Sequence, residues 1–168
     1  MDEGVLAALR RIDGGCPTLD AVMSELSEAV ALGHSGQPVA ARERLAALWE
    51  RVGPAGDALH RCAIAHSMAD VQDDVHKELR WDLEALDAAR AITDERAAAA
   101  GTTVAGFYPS LHLNLASCYR RLGDVKRAGE QVVLARQCVD VLPNDGYGEL
   151  VRGELARLEQ AILPAQAS

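Results

Sequence analysis

Residues 115–128 read LASCYRRLGDVKRA. Gly123-Asp124 interrupts a segment whose apolar residues recur at helical spacing, so this pattern predicts two helices joined by a tight turn. Pro109 is placed to open the first of these helices, and the second is expected to continue to about Leu142. The segment therefore predicts a helix-turn-helix pair over residues 109–142.

Glycine and proline divide the rest of the chain in a similar way. Gly33 is placed to end one helix and Pro38 to begin the next. Gly53-Pro54 repeats this pattern of a helix-ending glycine followed by a helix-starting proline. Between the breaks, apolar residues recur every three or four positions, and no long alternation typical of a half-buried strand occurs. The sequence therefore predicts an all-α fold with a lead-in over residues 1–17, helix pairs at about 18–52, 54–100 and 109–142, and a last helix at about 149–163 that ends before Pro164.

The segment from about residue 74 to residue 100 is predicted to be one unusually long helix. Asp73 or Asp74 is suited to cap its start, and Gly101 is placed to end it. Residues 101–108 are predicted to form a loop. The buried stripe of the long helix is expected to consist of Leu79, Leu83, Leu86, Ala89 and Ile92.

The turn at Gly123 belongs to a longer pattern of residues. Leu115, Ala116, Tyr119, Gly123 and Ala128 match the tetratricopeptide repeat in residue type and spacing, and the segment resembles a repeat of that family. The resemblance implies that the helix pairs stack as a short right-handed superhelix and that the last helix caps the final pair. It also implies that residues 18–168 form a single domain.

The same register extends toward the N-terminus. Gly36 and Asp70 occupy the turn position of two earlier repeats, and they lie 34 residues apart, which is the period of the family. The interval from Asp70 to Gly123 is 53 residues, and the long helix with its loop accounts for the excess. Small residues such as Ala116 and Ala128 are expected to let the two helices of a pair approach closely.

The resemblance implies a concave groove, lined by the first helix of each pair, that binds a peptide or a partner segment. Arginine offers a planar fork that suits carboxylates, and an asparagine inside a helix suits the backbone of an extended ligand. Leu113 stands where chaperone-binding members of the family carry Lys or Arg, so binding of a chaperone tail is not predicted. The predicted partner-binding residues are His60, Arg61, Asn114, Ser117, Arg120 and Arg121.

Structural roles compete with these predictions. Arg120 and Arg121 lie near a predicted helix end, where cations offset the helix dipole. Trp49 and Trp81 fall on second helices and are expected to pack between pairs. A set of His and Asp side chains has the ligand types of a divalent-cation site, but capping and packing explain these residues better, so no metal site is predicted. This set comprises His66, Asp70, Asp73, Asp74 and His76.

Composition narrows the functional classes. The chain carries 25 acidic and 17 basic residues, a formal net charge of −8, which argues against nucleic acid and anionic membrane surfaces as partners. No apolar run approaches the ~20 residues that span a bilayer, and the acidic start lacks the basic region of a secretory signal. Four widely spaced cysteines are predicted to be reduced thiols, mostly packed as small apolar groups. These features predict a cytoplasmic protein; the cysteines are Cys16, Cys62, Cys118 and Cys138.

Motifs for catalysis, phosphate binding or metal binding are absent from the sequence. We therefore predict no enzymatic activity, no catalytic residues and no cofactor. The leading prediction is a non-catalytic interaction module or adaptor whose groove binds another protein or a peptide. The alternatives are a regulator that binds a small molecule between its helices, and a structural homo-oligomer, such as a homodimer, that associates through the predicted helix 74–100.

Overall fold

The computed structural model describes residues 21–166, with side chains described up to residue 162. All regular secondary structure in this part of the chain is helical, which confirms the predicted all-α class. The predicted lead-in, residues 1–17, lies outside the described residues. The eight α-helices that the structure describes are α1 (Ala21–His34), α2 (Pro38–Val52), α3 (Ala58–Asp70), α4 (Val75–Arg90), α5 (Asp94–Ala99), α6 (Tyr108–Arg121), α7 (Val125–Cys138) and α8 (Gly146–Gln166).

The helices pack in sequential pairs within two compact units. The first unit comprises the described residues 21–104 and holds the pairs α1–α2 and α3–α4 together with the short helix α5. The second unit, residues 105–166, holds the pair α6–α7 and helix α8, which packs on both of them. This order agrees with the predicted helix pairs, whereas a single domain over residues 18–168 stays a prediction.

Two glycines end the first helices of their pairs. Gly36 follows α1 with φ +81°, and Gly123 follows α6 with φ +78°. Both values lie in the left-handed region, where a side chain with Cβ is strained. Pro38 and Pro109 lie in the first turns of α2 and α6. Backbone N–H groups in the first turn have no acceptor within the helix, so the missing N–H of proline costs no helical hydrogen bond there. These four residues agree with the turn and first-turn positions predicted from the sequence, whereas α1 continues past Gly33, its predicted end, to His34.

Small residues lie at the helix contacts of two pairs. Ala29 on α1 and Ala41 on α2 are completely buried in the first unit. Ala116 on α6 and Ala128 on α7 are completely buried in the core of the second unit. The apolar face of α8 completes that core with Val151, Leu155, Leu158 and Ile162.

The predicted continuous helix over residues 74–100 is wrong. Helix α4 ends at Arg90, and a separate helix, α5, begins at Asp94. Thr93 is extended, with ψ 156°, and its hydroxyl accepts a hydrogen bond from the backbone N–H of Arg96. A side-chain cap of this kind starts a new helix. The sequence predicts Asp73 or Asp74 as the cap of α4, and the cap is Asp74. Its carboxylate accepts hydrogen bonds from the backbone N–H groups of His76 and Lys77.

The buried stripe of α4 also differs from the prediction. Leu86, Ala89 and Ile92 are buried as expected, but Leu79 is only half-buried and Leu83 is 43% exposed. Asp82 is completely buried in its place. The prediction weighed only apolar residues, whereas the buried face of α4 includes a carboxylate that lies near a histidine of α3.

The last two helices depart from their predicted ends. Helix α7 ends at Cys138 and continues as a 3₁₀ turn, Val139–Val141. Helix α8 begins at Gly146, three residues before the predicted start, because the carboxylate of Asp145 accepts a hydrogen bond from the N–H of Gly148. Helix α8 also continues past Pro164 to Gln166.

No helix in the described part of the chain combines the length and apolar character that crossing a membrane requires. Among the described cysteines, Cys62, Cys118 and Cys138 are free thiols, and the first two are buried. Burial raises the pKa of the Cys62 thiol to about 12, so this group is protonated near neutral pH. The fourth cysteine, Cys16, lies outside the described residues.

Candidate partner-binding site

Four of the six predicted partner-binding residues lie on helix α6 in the second unit. Asn114, Ser117 and Arg121 are spaced so that they share one face of the helix. Asn114 and Ser117 are half-buried, whereas Arg120 and Arg121 are exposed in the last turn. Asn114 and Arg121 each already engage at least one other group of the protein. Helix α6 therefore presents a polar face that ends in two exposed cations.

A neighbouring face of α6 belongs to the core. Leu113 and Ala116 are buried in the apolar core of the second unit. The ring of Tyr119 packs against this core, and the guanidinium of Arg127 lies 5.6 Å from its centroid. Core packing therefore fixes the rotation of α6 and with it the direction of the polar face.

The other two predicted residues, His60 and Arg61, lie on α3 in the first unit. Arg61 donates a hydrogen bond to the backbone oxygen of Gly53 over 2.6 Å, and its guanidinium lies 4.1 Å from the ring centroid of Trp49. A carboxylate oxygen of Glu84 on α4 lies 4.0 Å from the same guanidinium, whose side chain is only 18% exposed. Arg61 therefore joins α2, α3 and α4 within this unit.

His60 belongs to a second polar cluster, with Asp57 and Arg96. Asp57 caps α3 by accepting from the N–H of His60 over 3.0 Å, and it also accepts from Nε of Arg96 over 2.7 Å. Nη2 of Arg96 lies 3.2 Å from Nε2 of His60. The cluster attaches helix α5, which carries Arg96, to the first turn of α3.

The electrostatics of this cluster keep Asp57 ionised. Partial burial by itself would raise the pKa of Asp57. The hydrogen bonds from Arg96 and from the N–H of His60, together with the positive charge of Arg96, outweigh burial and hold the pKa below its usual value. The carboxylate therefore carries its charge throughout the neutral range.

The two tryptophans pack against each other within the first unit. Trp49 on α2 and Trp81 on α4 have ring centroids 5.1 Å apart and nearly perpendicular planes, 88°. Edge-to-face contact of this kind is favoured by the ring quadrupoles. Both rings are half-buried, which agrees with the prediction that they pack between helix pairs.

The His and Asp residues that resembled metal ligands have other contacts in the structure. Asp73 pairs with Arg42 at 2.8 Å, and Asp74 is the N-cap of α4. Nδ1 of the buried His66 lies 3.9 Å from a carboxylate oxygen of the fully buried Asp82. An ion pair, a helix cap and helix packing thus account for these three residues.

Sequence reasoning missed the contacts of Arg96, Asp57 and Asp82. Thr93 followed by two acidic residues is a helix-start signal that would have separated α5 from α4. No such local signal identifies the partner of Arg96, because its carboxylate is 39 residues away along the chain.

In comparisons with known proteins, the chain matches no protein-family model, no curated protein and no solved structure. The structure itself shows an all-helical protein whose described part has eight helices packed in adjacent pairs.

Proposed function

We propose that this protein is a non-catalytic interaction module, related in design to tetratricopeptide repeats, that binds a peptide or a segment of a partner protein. The observation that carries the proposal is the polar face of α6. Asn114 and Ser117 on this face lead to the exposed cations Arg120 and Arg121, on a helix that the core holds in place.

Two features support the kinship with tetratricopeptide repeats. Gly36 and Gly123 adopt the same left-handed conformation at equivalent turns of the first and third helix pairs. The small residues that the repeat requires between paired helices are completely buried in both pairs. The second pair differs, because Asp70 is the last residue of α3 and the turn that follows is one residue longer than the turn at Gly36.

The side chains of the α6 face determine the chemistry of the proposed interaction. The amide of Asn114 has donor and acceptor groups that match the backbone of an extended segment. Each guanidinium offers paired N–H groups to a carboxylate. We assign the main contacts to α6, because Arg120 and Arg121 are exposed whereas the side chain of Arg61 in the first unit is only 18% exposed.

Selection from a random peptide display library tests the proposal. Wild type should enrich a family of peptides, and the variant Asn114→Ala, Arg120→Ala, Arg121→Ala should lose them while keeping its circular dichroism spectrum. The matched control is Lys77→Ala, Arg80→Ala, which removes two exposed cations from α4 in the first unit. Peptides that bind the α6 variant as well as wild type, or failure of wild type to enrich any peptide, would contradict the proposal.

A further inference from the structure

Helix α7 has an exposed face opposite its buried one. Ala128, Val132 and Ala135 point into the core of the second unit. The residues on the opposite side follow the spacing i, i+4, i+7, i+8, i+11, which places them within about one third of the helix circumference. All five are exposed: Lys126, Glu130, Val133, Leu134 and Gln137. We call this set the outer face of α7.

Apolar side chains are concentrated at this face. Val133 is 55% exposed and Leu134 is 40% exposed, and Val141 in the following 3₁₀ turn is 48% exposed. They are three of the six large apolar residues that are exposed in the described part of the chain. An apolar group of this kind, flanked by charged residues, is typical of an interaction surface.

Two charges, one at each end of the apolar centre, are arranged symmetrically about it. Lys126 precedes Val133 by seven residues, and Asp140 follows it by seven. Reversing the direction of the helix about Val133 therefore places Lys126 opposite Asp140 and Asp140 opposite Lys126. Arg136 is not part of this arrangement, because its Nε lies 3.1 Å from a carboxylate oxygen of Glu159 on α8.

We propose that the outer face of α7 binds a second copy of this chain, with the two α7 helices antiparallel across a two-fold axis at Val133 and Leu134. A two-fold interface brings the same patch of both subunits together, so the patch must be complementary to itself. The apolar centre of the outer face meets this requirement, and so do the charges on either side of it, Lys126 and Asp140. A parallel arrangement would instead oppose Lys126 to Lys126 and Asp140 to Asp140.

Three contributions stabilise the antiparallel pair. Val133 and Leu134 of each copy lose contact with water at the centre. Lys126 of one copy meets Asp140 of the other. Within one copy these two residues lie about 21 Å apart along the helix direction, so the two ion pairs form at the two ends of the interface. Neither residue forms an ion pair among the described residues, so both charges are available to the second copy. The antiparallel dipoles of the two helices also attract.

The proposed dimer does not depend on the proposed partner binding, but it would add avidity to it. One helix face on each side makes a small interface, so the association is expected to be weak and to depend on concentration. A dimer carries the polar face of α6 twice, which favours partners with two binding segments. Self-association through residues 74–100 stays a separate prediction, although the structure divides that segment into two helices after Arg90.

Sedimentation velocity over a range of concentrations, at low ionic strength, tests the proposal. Wild type should shift from monomer to dimer, whereas Val133→Asp and Leu134→Asp should each remain monomeric. The matched control is Val39→Asp, at an apolar residue of α2 that is 59% exposed, which should dimerise like wild type. Because the substituted side chains are exposed, each variant should keep the wild-type circular dichroism spectrum, and it should match the wild-type melting temperature at concentrations where wild type is monomeric.

Reversing the charges at positions 126 and 140 tests the antiparallel arrangement directly. Lys126→Glu and Asp140→Lys should each weaken the dimer by about tenfold, which corresponds to about 1.4 kcal/mol. The double variant Lys126→Glu, Asp140→Lys should restore wild-type association, because the opposed charges are again opposite in sign. A monomer at every concentration, a dimer that tolerates Val133→Asp, or a double variant no tighter than the single ones would overturn the proposal.

Discussion

Nε of Arg96 donates a hydrogen bond to Oδ2 of Asp57 over 2.7 Å, and so joins helix α5 to the N-terminus of helix α3. The other oxygen of the same carboxylate accepts from the N–H of His60. One side chain therefore caps one helix and fixes another. The short helix α5, with six residues, is too short to be stable alone and depends on contacts of this kind.

Replacing Asp57 with Ala should lower the free energy of unfolding by about 1–2 kcal/mol. The substitution removes an N-cap, worth ~1 kcal/mol, together with a partly exposed ion pair, worth up to ~1 kcal/mol. Urea denaturation followed by circular dichroism measures the change. The control is Asp73→Ala, which breaks an ion pair whose carboxylate side chain is 81% exposed and should cost less than about 1 kcal/mol. Equal losses in the two variants would contradict the double role of Asp57.

The contribution of Asp57 to stability should disappear in acid. The pKa of Asp57 in the folded protein lies below its ordinary value, so the ionised carboxylate stabilises the fold above the unfolded pKa of about 3.9. This stabilisation is lost as the pH falls through the folded pKa. The difference in unfolding free energy between wild type and Asp57→Asn should therefore be constant from about pH 5 to pH 7 and shrink below about pH 4. A constant difference down to about pH 2 would show that Asp57 does not titrate in this way.

Arg61 should be important for stability rather than a free surface cation. Arg61→Ala removes the hydrogen bond to Gly53 and the contact with Trp49, and we expect a loss of about 1–3 kcal/mol in the free energy of unfolding. Arg61→Lys should fall between this variant and wild type, because ammonium keeps the charge but lacks the planar fork. Guanidinium denaturation followed by tryptophan fluorescence gives both values.

The control for Arg61 is Arg44→Ala. Arg44 pairs with Glu28 through side chains that are both more than half exposed, so its removal should change stability by less than about 0.5 kcal/mol. If Arg61→Ala were as mild as this control, the contacts of Arg61 would not stabilise the first unit.

The small residue at position 128 should be required for close packing of α6 and α7. Ala128→Leu adds three carbons at a completely buried position of the core, and we expect a loss of about 1–3 kcal/mol in the free energy of unfolding. Ala156→Leu makes the same change at an exposed position of α8 and should stay within about 0.5 kcal/mol of wild type. Urea denaturation of the two variants tests this, and equal stabilities would argue against a repeat-like contact at Ala128.

Local signals determined most of the helix boundaries in advance. The left-handed turns at Gly36 and Gly123, the first-turn prolines Pro38 and Pro109, and the Asp74 cap act within a few residues of chain, so the sequence alone predicts them. The all-α class and the order of helix pairs follow from the same signals. The partner-binding role of the α6 face remains a prediction of the sequence pattern.

Interactions between distant residues were decided only by the tertiary structure. Arg61 is read from sequence as a polar groove residue, but the packing of α2 against α3 brings Gly53 and Trp49 to its guanidinium. Asp82 interrupts the apolar pattern of α4 and is nevertheless buried, because the fold supplies neighbours for its carboxylate that helical periodicity does not show. Periodicity describes how one helix alternates between core and solvent, whereas a charged group is buried only where another part of the chain compensates it.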